Sequence, residues 1–242
     1  MPEISTASAT DAEMAGRLGE IAAAHARLRA QAAEITESAA REPIALPGWT
    51  RAHVLFHVGD LARAFARQAE YAVAGKAIEV YDGGRPTRDR RIEENHARPI
   101  EWLRESLEDG LDSLEKAWSG LSAADWELPC SYRNSSLTAT QLAWWRETEL
   151  HSVDLMAGYR TENWSTALSA HVVAFLRSRL AAEPGVELRA TDTGEIWTVG
   201  QGTPSVIRAE VRVLAGWLSG RPAAVSPTTD SGAGLPEPGT WP

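Results

Sequence analysis

A carboxylate and an imidazole stand four residues apart at Glu147 and His151, within the stretch from Trp145 to Leu155. This stretch has no proline or glycine and mixes apolar with charged residues, which predicts a helix. On a helix, positions four apart project from the same face, one turn above the other. Glu147 and His151 could therefore hold one divalent metal ion, because carboxylate oxygen and imidazole nitrogen are common metal ligands.

Taken alone, a Glu-x-x-x-His pair is a weak signal, since most such pairs are solvated surface contacts. A second stretch strengthens the metal hypothesis. Residues 46–58 contain His53 and His57, again four apart on a predicted apolar helix. Either histidine alone is more often a structural residue than a ligand. In a helical bundle, however, metal sites are built from side chains of facing helices, so one of these histidines would complete a two-histidine, one-carboxylate set.

Three protein ligands leave one coordination position open for water or substrate, as in catalytic zinc sites, whereas structural sites fill every position. The ligand types suit zinc and other divalent metals, so they do not settle which ion is native. Asp154 lies three residues beyond His151. It is predicted to orient that ligand, with a solvent-facing position as the alternative.

The composition excludes several classes of protein. The chain has 242 residues, 43% hydrophobic and 24% charged, with a net charge of −9. These values fit one large domain or two small ones and argue against nucleic-acid binding. No apolar run approaches the roughly 20 residues of a membrane span, and the first residues lack the pattern of a signal peptide. We therefore expect a cytoplasmic protein without membrane contact.

Cys130 is the single cysteine of the sequence, which excludes an internal disulfide and a multi-cysteine metal site. It lies in a predicted connection between helices. A lone cysteine in such a position is more often an incidental small residue than a nucleophile. We therefore expect no catalytic role for Cys130.

Apolar residues at three-to-four spacing predict a helical first part. Thr50 is a plausible N-cap, Pro99 a plausible interruption, and glycines and a proline predict a loop over residues 76–90. The predicted helices are, in order, 10–40, 50–74, 88–120 and 139–157. Four long helices with short to moderate connections predict a four-helix bundle.

Four arginines lie within seven residues of the predicted loop and the helix start that follows: Arg85, Arg88, Arg90 and Arg91. In an otherwise acidic chain, this cluster is either a solvated flank or a lid that contacts an anionic ligand. Both interpretations stay open. Arg85 and Arg88 are the candidates for ligand contact under the second.

The pattern changes near residue 163. Residues 166–182 predict a helix, and alternating residues on either side of the turn at 192–194 predict a hairpin. A third strand at 205–209 and a helix at 211–218 follow. The sequence therefore predicts a metal-binding bundle over residues 1–163 and a small α/β domain, ending in a Pro- and Gly-rich tail, over 164–242.

Two motifs resemble the mycothiol-dependent maleylpyruvate isomerase family, part of a wider DinB-like group of metal-binding helical bundles. They are Leu-Pro-Gly-Trp-Thr-Arg-x-His-Val-Leu-x-His at 46–57 and Trp-Arg-Glu-x-Glu-Leu-His-x-Val-Asp-Leu-x-Ala-Gly-Tyr at 145–159. The pattern Leu-Ala-x-Trp-Leu-x-Gly-Arg at 214–221 resembles that family's C-terminal domain. The resemblance spans almost the whole chain and implies a DinB-like four-helix bundle followed by a small α/β C-terminal domain.

The resemblance also implies which residues form the site. It implies metal ligation by His57, Glu147 and His151, with His53 as a catalytic neighbour, and contact of Arg221 with substrate or thiol. It implies a divalent metal, zinc in type, and a low-molecular-weight thiol, mycothiol in that family. A metal with an open position lowers the pKa of a bound thiol.

Aromatic and basic residues near the proposed ligands complete the expected site. Trp49, Trp144 and Trp145 flank the ligands in sequence. We expect them to line the site. Trp145, together with Arg85 and Arg88, is a candidate contact to the cofactor.

The function that the resemblance implies is cis–trans isomerisation of maleylpyruvate through addition and loss of the thiol. Because that substrate is a dianion, Arg221 is a reasonable carboxylate partner, with Arg85 and Arg88 as further candidates. S-transfer of the thiol to another electrophile stays open. A non-catalytic metal-binding or regulatory protein on the same scaffold is the alternative. The sequence also leaves open the electrophile, the native metal, and whether the protein is a monomer or a small homo-oligomer.

Overall fold

The computed structural model of the protein describes residues 6–221 and 223–241 and divides the chain into two units between Ala157 and Gly158. The sequence analysis placed this division after residue 163. The turn Thr161–Asn163 packs against a helix of the second unit, so it belongs with that unit. No helix of the described residues is long and apolar enough to cross a membrane.

The first unit is a four-helix bundle with two short additional helices, as the sequence predicted. The bundle helices α1, α3, α5 and α6 pack against one another around buried leucines, Phe65 and Trp144. A two-residue hairpin of β1 and β2 precedes α6. The bounds are α1 (Thr6–Glu34), α2 (Glu37–Ala40), α3 (Arg51–Val73), α4 (Gly84–Asn95), α5 (Ile100–Ser119), β1 (Pro129–Cys130), β2 (Ser135–Ser136) and α6 (Leu137–Asp154).

The start of α3 is fixed by a local hydrogen-bond exchange. Thr50 has extended backbone angles, as an N-cap residue should. Its backbone N–H donates to Nδ1 of His53 at 3.1 Å, and the N–H of His53 donates back to the Thr50 carbonyl at 3.1 Å. His53 thus takes the position that Glu or Gln takes in a capping box. The predicted N-cap at Thr50 is confirmed.

Two predicted helix boundaries were wrong. The helix predicted over 10–40 ends at Glu34, because Thr36 accepts the Ala39 N–H through its side chain and begins the separate helix α2. The loop predicted over 76–90 ends at Gly83, because α4 already begins at Gly84. Pro86 lies in the first turn of α4, where an N–H has no helical partner and its absence costs little. The arginine cluster therefore lies on a helix.

The second unit is a small α/β domain, as predicted. Its sheet has the order β4-β3-β5-β6, with β3 antiparallel to β4 and parallel to β5. Alternate residues of β3 are buried, and α8 packs against β3, β5 and α7. The bounds are α7 (Thr166–Leu176), β3 (Val186–Ala190), β4 (Ile196–Val199), β5 (Ser205–Ala209), α8 (Val211–Ser219) and β6 (Thr228–Thr229). The hairpin and the third strand are confirmed, whereas β6 was not predicted.

Helices α3 and α5 approach closely where Gly59 faces Gly110. A Cβ atom added at Gly59 would lie 2.7 Å from the Ser106 carbonyl oxygen and 2.9 Å from Leu107 Cα. Both neighbours are backbone atoms, which cannot move aside as a flexible side chain can. Glycine at this crossing therefore sets the distance between the two helices, and with it the position of the helix that carries His57.

We expect Gly59→Ala to destabilise the protein by about 1–3 kcal/mol, because overpacking outweighs the helix propensity that alanine adds. The matched control is Gly19→Ala on α1, where an added Cβ meets nothing within 4 Å. That change should stabilise by about 0.5–1 kcal/mol. Urea denaturation of both variants measures the difference, and equal effects at the two positions would show that the α3–α5 crossing is not tightly constrained.

Candidate metal centre

Glu147 and His151 lie on the face of α6 that is opposite to the face in contact with α1. Trp145, Glu149 and Ser152 face α1: the Trp145 indole donates to Glu20 at 3.0 Å, Arg27 pairs with Glu149 at 2.7 Å, and Gln31 donates to the Ser152 carbonyl at 3.0 Å. Positions 147, 151 and 154 follow the same helical spacing about half a turn away. Anchoring one face of α6 to α1 thus presents the other face to α3.

The three predicted ligands converge between α3 and α6. Nε2 of His57 lies 3.6 Å from Oε2 of Glu147, and that oxygen lies 3.3 Å from Nε2 of His151. One ligand atom from each residue lies within 4.8 Å of the other two. Ligands that bind zinc tetrahedrally at about 2.1 Å stand about 3.4 Å from one another. The spacing therefore fits a single divalent ion.

The surroundings of the two Nδ1 atoms favour metal binding through Nε2 of His57 and of His151. Nδ1 of His151 lies 2.9 Å from Oδ2 of Asp154. A carboxylate can only accept, so Nδ1 carries a proton, and a metal ion would take the place of the proton through which Nε2 bonds Glu147. Asp154 thus makes the orienting contact expected of it. Nδ1 of His57 has no hydrogen-bond partner among the described residues, so this ring interacts through Nε2.

The electrostatics of the cluster favour a cation between the ligands. Burial lowers the pKa of His57 to about 4, which leaves its imidazole neutral and able to coordinate. Burial opposes the charge on Glu147, but hydrogen bonds from His151 and His57 outweigh it and hold the Glu147 pKa well below its usual range. Burial also lowers the pKa of His151, yet Asp154 and Glu147 outweigh this effect and raise it. The two carboxylates, Glu147 and Asp154, attract a divalent ion to the imidazoles, where it would replace the proton that the raised pKa favours on His151.

The cluster is walled on one side and open on another. The Trp49 ring lies 5.5 Å from the His57 ring and 6.3 Å from the His151 ring, measured between centroids. The side chains of His57 and His151 are 4% and 9% exposed, whereas that of Glu147 is 21% exposed. A ligand can therefore reach the cluster from the side of Glu147.

A second group of possible ligands, His53 with Glu93 and His96, is less suited to hold a metal. Nδ1 of His53 accepts the Thr50 backbone N–H, which leaves the proton of the neutral ring on Nε2. The rings of His53 and His96 stack with centroids 3.7 Å apart and 17° between planes. Glu93 is 68% exposed. His53 and His57 therefore have different contacts: His53 bonds the Thr50 backbone, and His57 faces Glu147.

The remaining predicted residues fall into different environments. Arg88 lies on α4 near the cluster, where its charge acts on His57. Arg85 is 83% exposed and lies 3.9 Å from Asp89. The structure does not bring Trp145 to the ligands, because its indole faces α1; Trp144 likewise donates to His25 of α1 at 2.7 Å. The expectation that Trp145 lines the site was wrong, since its helical position turns it away from Glu147 and His151. Trp144 is buried in the core against His25 and Phe65.

Arg221 is buried in the second unit. Its guanidinium donates to the Ser219 carbonyl at 2.7 Å and lies 5.5 Å from the centre of the Trp241 ring. Arg179 lies over the same ring at 5.4 Å. Within this unit, the C-terminal tail therefore packs against the end of α8 through Trp241.

Sequence reasoning did not single out Asp60 and Tyr81, both of which are buried. Asp60 is three residues beyond His57 on α3, so helical spacing would have placed it near the ligand. Tyr81 precedes α4 in a loop, and no spacing in the sequence connects it to the other residues.

Comparison with known proteins identifies the family. The profile described as the mycothiol maleylpyruvate isomerase N-terminal domain matches residues 21–156, more than half of the chain. The chain belongs to this family. The match includes both ligand-bearing helices and confirms the resemblance found in the sequence. A comparison with curated proteins gives no match.

Two solved structures share the fold across both units. One is the crystal structure of the mycothiol-dependent maleylpyruvate isomerase, and the other is a histidine-to-alanine variant of that enzyme. Each match has a TM-score of 0.84 and 20% sequence identity, and covers 93% of this chain and 96% of the other. At this identity the likeness establishes the fold, which is the predicted bundle followed by a small α/β domain.

The ligand assignment predicts different losses for the two histidines of α3. His57→Ala, Glu147→Gln and His151→Ala should each reduce bound zinc below about a tenth of an ion per chain, because two remaining ligands hold a metal poorly. His53→Ala should keep its metal but lose about 0.5–2 kcal/mol of stability with the helix cap. Metal analysis and urea denaturation measure the two effects. Metal loss in His53→Ala with retention in His57→Ala would exchange the assignments.

Proposed function

We propose that this protein is a metal- and thiol-dependent enzyme that isomerises a conjugated cis electrophile of the maleylpyruvate type, with mycothiol or a similar small thiol as cofactor. The convergence of His57, Glu147 and His151 around an accessible position carries this proposal. Membership of the family supports it, as does the shared fold with a mycothiol-dependent maleylpyruvate isomerase.

The residues of the chain fit a divalent metal, with zinc as the favoured ion. His57 and His151 offer neutral nitrogen donors, Glu147 supplies charge, and Asp154 fixes the ring of His151. When bound, such a metal would supply Lewis acidity that lowers the pKa of a thiol at its open position. Trp49 covers one side of the cluster and limits the access of water.

The nucleophilic sulfur must come from a small molecule, because Cys130 is unsuited to the task. Its side chain is buried in β1, and burial raises the pKa of the thiol. A protonated, enclosed thiol is a poor nucleophile.

The proposed reaction conserves atoms and electrons without an oxidant. A thiolate adds to the conjugated double bond, forming a carbon–sulfur bond and moving an electron pair onto the adjacent carbonyl oxygen. The former double bond is now single and rotates. The carbon–sulfur bond then breaks, the trans double bond forms, and the thiol is released unchanged. If the addition product were protonated and released instead, the same residues would perform S-transfer.

The test of this proposal measures metal, thiol dependence and product together. Zinc-loaded protein with mycothiol should convert maleylpyruvate into its trans isomer, with no thiol adduct in the mass spectrum. Omission of the thiol, or Glu147→Gln, should reduce the rate at least about a hundredfold, since the activated nucleophile is lost. Cys130→Ser should retain most of the activity.

Three outcomes would replace the proposal. A stable thiol adduct would identify an S-transferase. Turnover without added thiol that disappears in Cys130→Ser would identify covalent catalysis by the protein. Protein that binds no metal even after zinc is added would favour the non-catalytic alternative on the same scaffold.

Arg221 is proposed as a partner for a carboxylate of the substrate or the thiol. Its contacts with the Ser219 carbonyl and the Trp241 ring hold the guanidinium in place. Lysine keeps the charge but loses the planar fork of donors. Arg221→Lys should therefore lower kcat/KM roughly ten- to a hundredfold, or about 1–3 kcal/mol of transition-state binding, with normal metal content. Unchanged kinetics at all thiol and electrophile concentrations would leave Arg221 with a purely structural role against Trp241.

A further inference from the structure

Three buried polar atoms near the ligand cluster have no hydrogen-bond partner among the described residues: Oη of Tyr81, Nε of Arg88 and Oδ2 of Asp60. Tyr81 is 8% exposed and Asp60 is 2% exposed. Buried polar groups in folded proteins almost always have a partner. The two donors among them, Oη of Tyr81 and Nε of Arg88, therefore indicate a place for a ligand with acceptor atoms, which would supply their missing partners.

These atoms come from three elements that meet beside the cluster. Asp60 lies on α3, nearly one turn beyond the ligand His57. Arg88 lies on α4, which packs against α3. Tyr81 lies in the turn before α4, where its carbonyl accepts the Gly84 N–H at 2.7 Å. The charges of Asp60, Arg88 and Glu147 all act on the Tyr81 phenol, so the three elements converge on the side of the metal ligands.

An ion pair fixes α4 in this position. The Arg91 guanidinium donates to Oδ1 of Asp60 at 2.5 Å, and Arg63 lies 4.0 Å from the same oxygen. These two arginines neutralise the buried Asp60 carboxylate. The carboxylate therefore holds the first turns of α4, and with them Arg88, against α3.

The unmatched donors define the ligand chemistry. Nε–H of Arg88 can only donate, and burial raises the pKa of Tyr81, so its hydroxyl stays protonated and can donate as well. Two donors, one of them cationic, match the two oxygens of a carboxylate. A carboxylate next to the reacting double bond is present in the class of electrophile proposed above.

We propose that Tyr81 and Arg88 form a carboxylate-binding subsite that holds the electrophile beside the metal ligands, with Asp60 and Arg91 as positioning residues. This inference rests on the proposed function for the identity of the ligand. It assigns substrate recognition within the first unit to α4 and the turn before it.

Calorimetric titration with maleate, a conjugated cis-dicarboxylate, tests the subsite without thiol and without turnover. Wild-type protein should bind maleate, and Tyr81→Phe and Arg88→Gln should each weaken binding about tenfold or more. The matched controls are Tyr71→Phe and Arg90→Gln, at exposed positions on α3 and α4, which should bind like wild type. Dimethyl maleate, which lacks the charge, should not distinguish the variants.

Thermal unfolding separates loss of a ligand contact from loss of the fold. The Tyr81 hydroxyl has no hydrogen-bond partner among the residues that the structure describes, so its removal in Tyr81→Phe should leave Tm equal or higher. The subsite proposal is wrong if Tyr81→Phe and Arg88→Gln bind maleate as tightly as wild type, or if wild-type protein does not bind maleate. This holds even where thiol-dependent turnover is intact. Weakened maleate binding in both variants, in a protein without thiol-dependent turnover, would retain the subsite and overturn the proposed function.

Discussion

The rest of the first unit depends on one interaction, the placement of the Glu147 carboxylate between the imidazoles of His57 and His151. These polar groups lie at the meeting of two largely apolar helices, where an unpartnered charge would be costly. Their mutual contacts offset that cost, and a divalent ion would offset it further. The packing of α6 on α1 and the close crossing of α3 and α5 both serve to hold the two ligand-bearing helices at the required distance.

The histidines differ in the contact that the second ring nitrogen, Nδ1, makes. The Asp154 carboxylate accepts the Nδ1–H of His151, which leaves Nε2 to face Glu147. The Thr50 backbone N–H occupies Nδ1 of His53 and ties that ring to the start of α3. His53 and His57 lie on the same helix and are similarly buried, so residue type and burial do not distinguish them. Nδ1 does: in His53 it accepts the Thr50 N–H, whereas in His57 it has no hydrogen-bond partner among the described residues.

The arginine cluster illustrates how far a sequence pattern can mislead about structure. Gly83, Gly84 and Pro86 predicted a loop, yet proline in the first turn is compatible with a helix, and α4 begins there. The helix gives the arginines different environments, since α4 has one face towards α3. Arg91 pairs with Asp60, Arg88 lies near the ligands, and Arg85 is exposed to solvent. A loop would not have separated them in this way.

The sequence by itself determined the helical bundle, the hairpin and third strand, the cap at Thr50 and the pairing of Glu147 with His151, because each follows from spacing within one element. Spacing left the choice between His53 and His57 open, the family resemblance named His57, and only the tertiary structure placed its ring against that pair. The tertiary structure also decided that Trp145 faces α1 and that Tyr81 and Asp60 lie near the ligands. These relations join residues of different helices and loops that are far apart in the chain. They depend on how the helices rotate and cross, which is set by packing across the whole bundle.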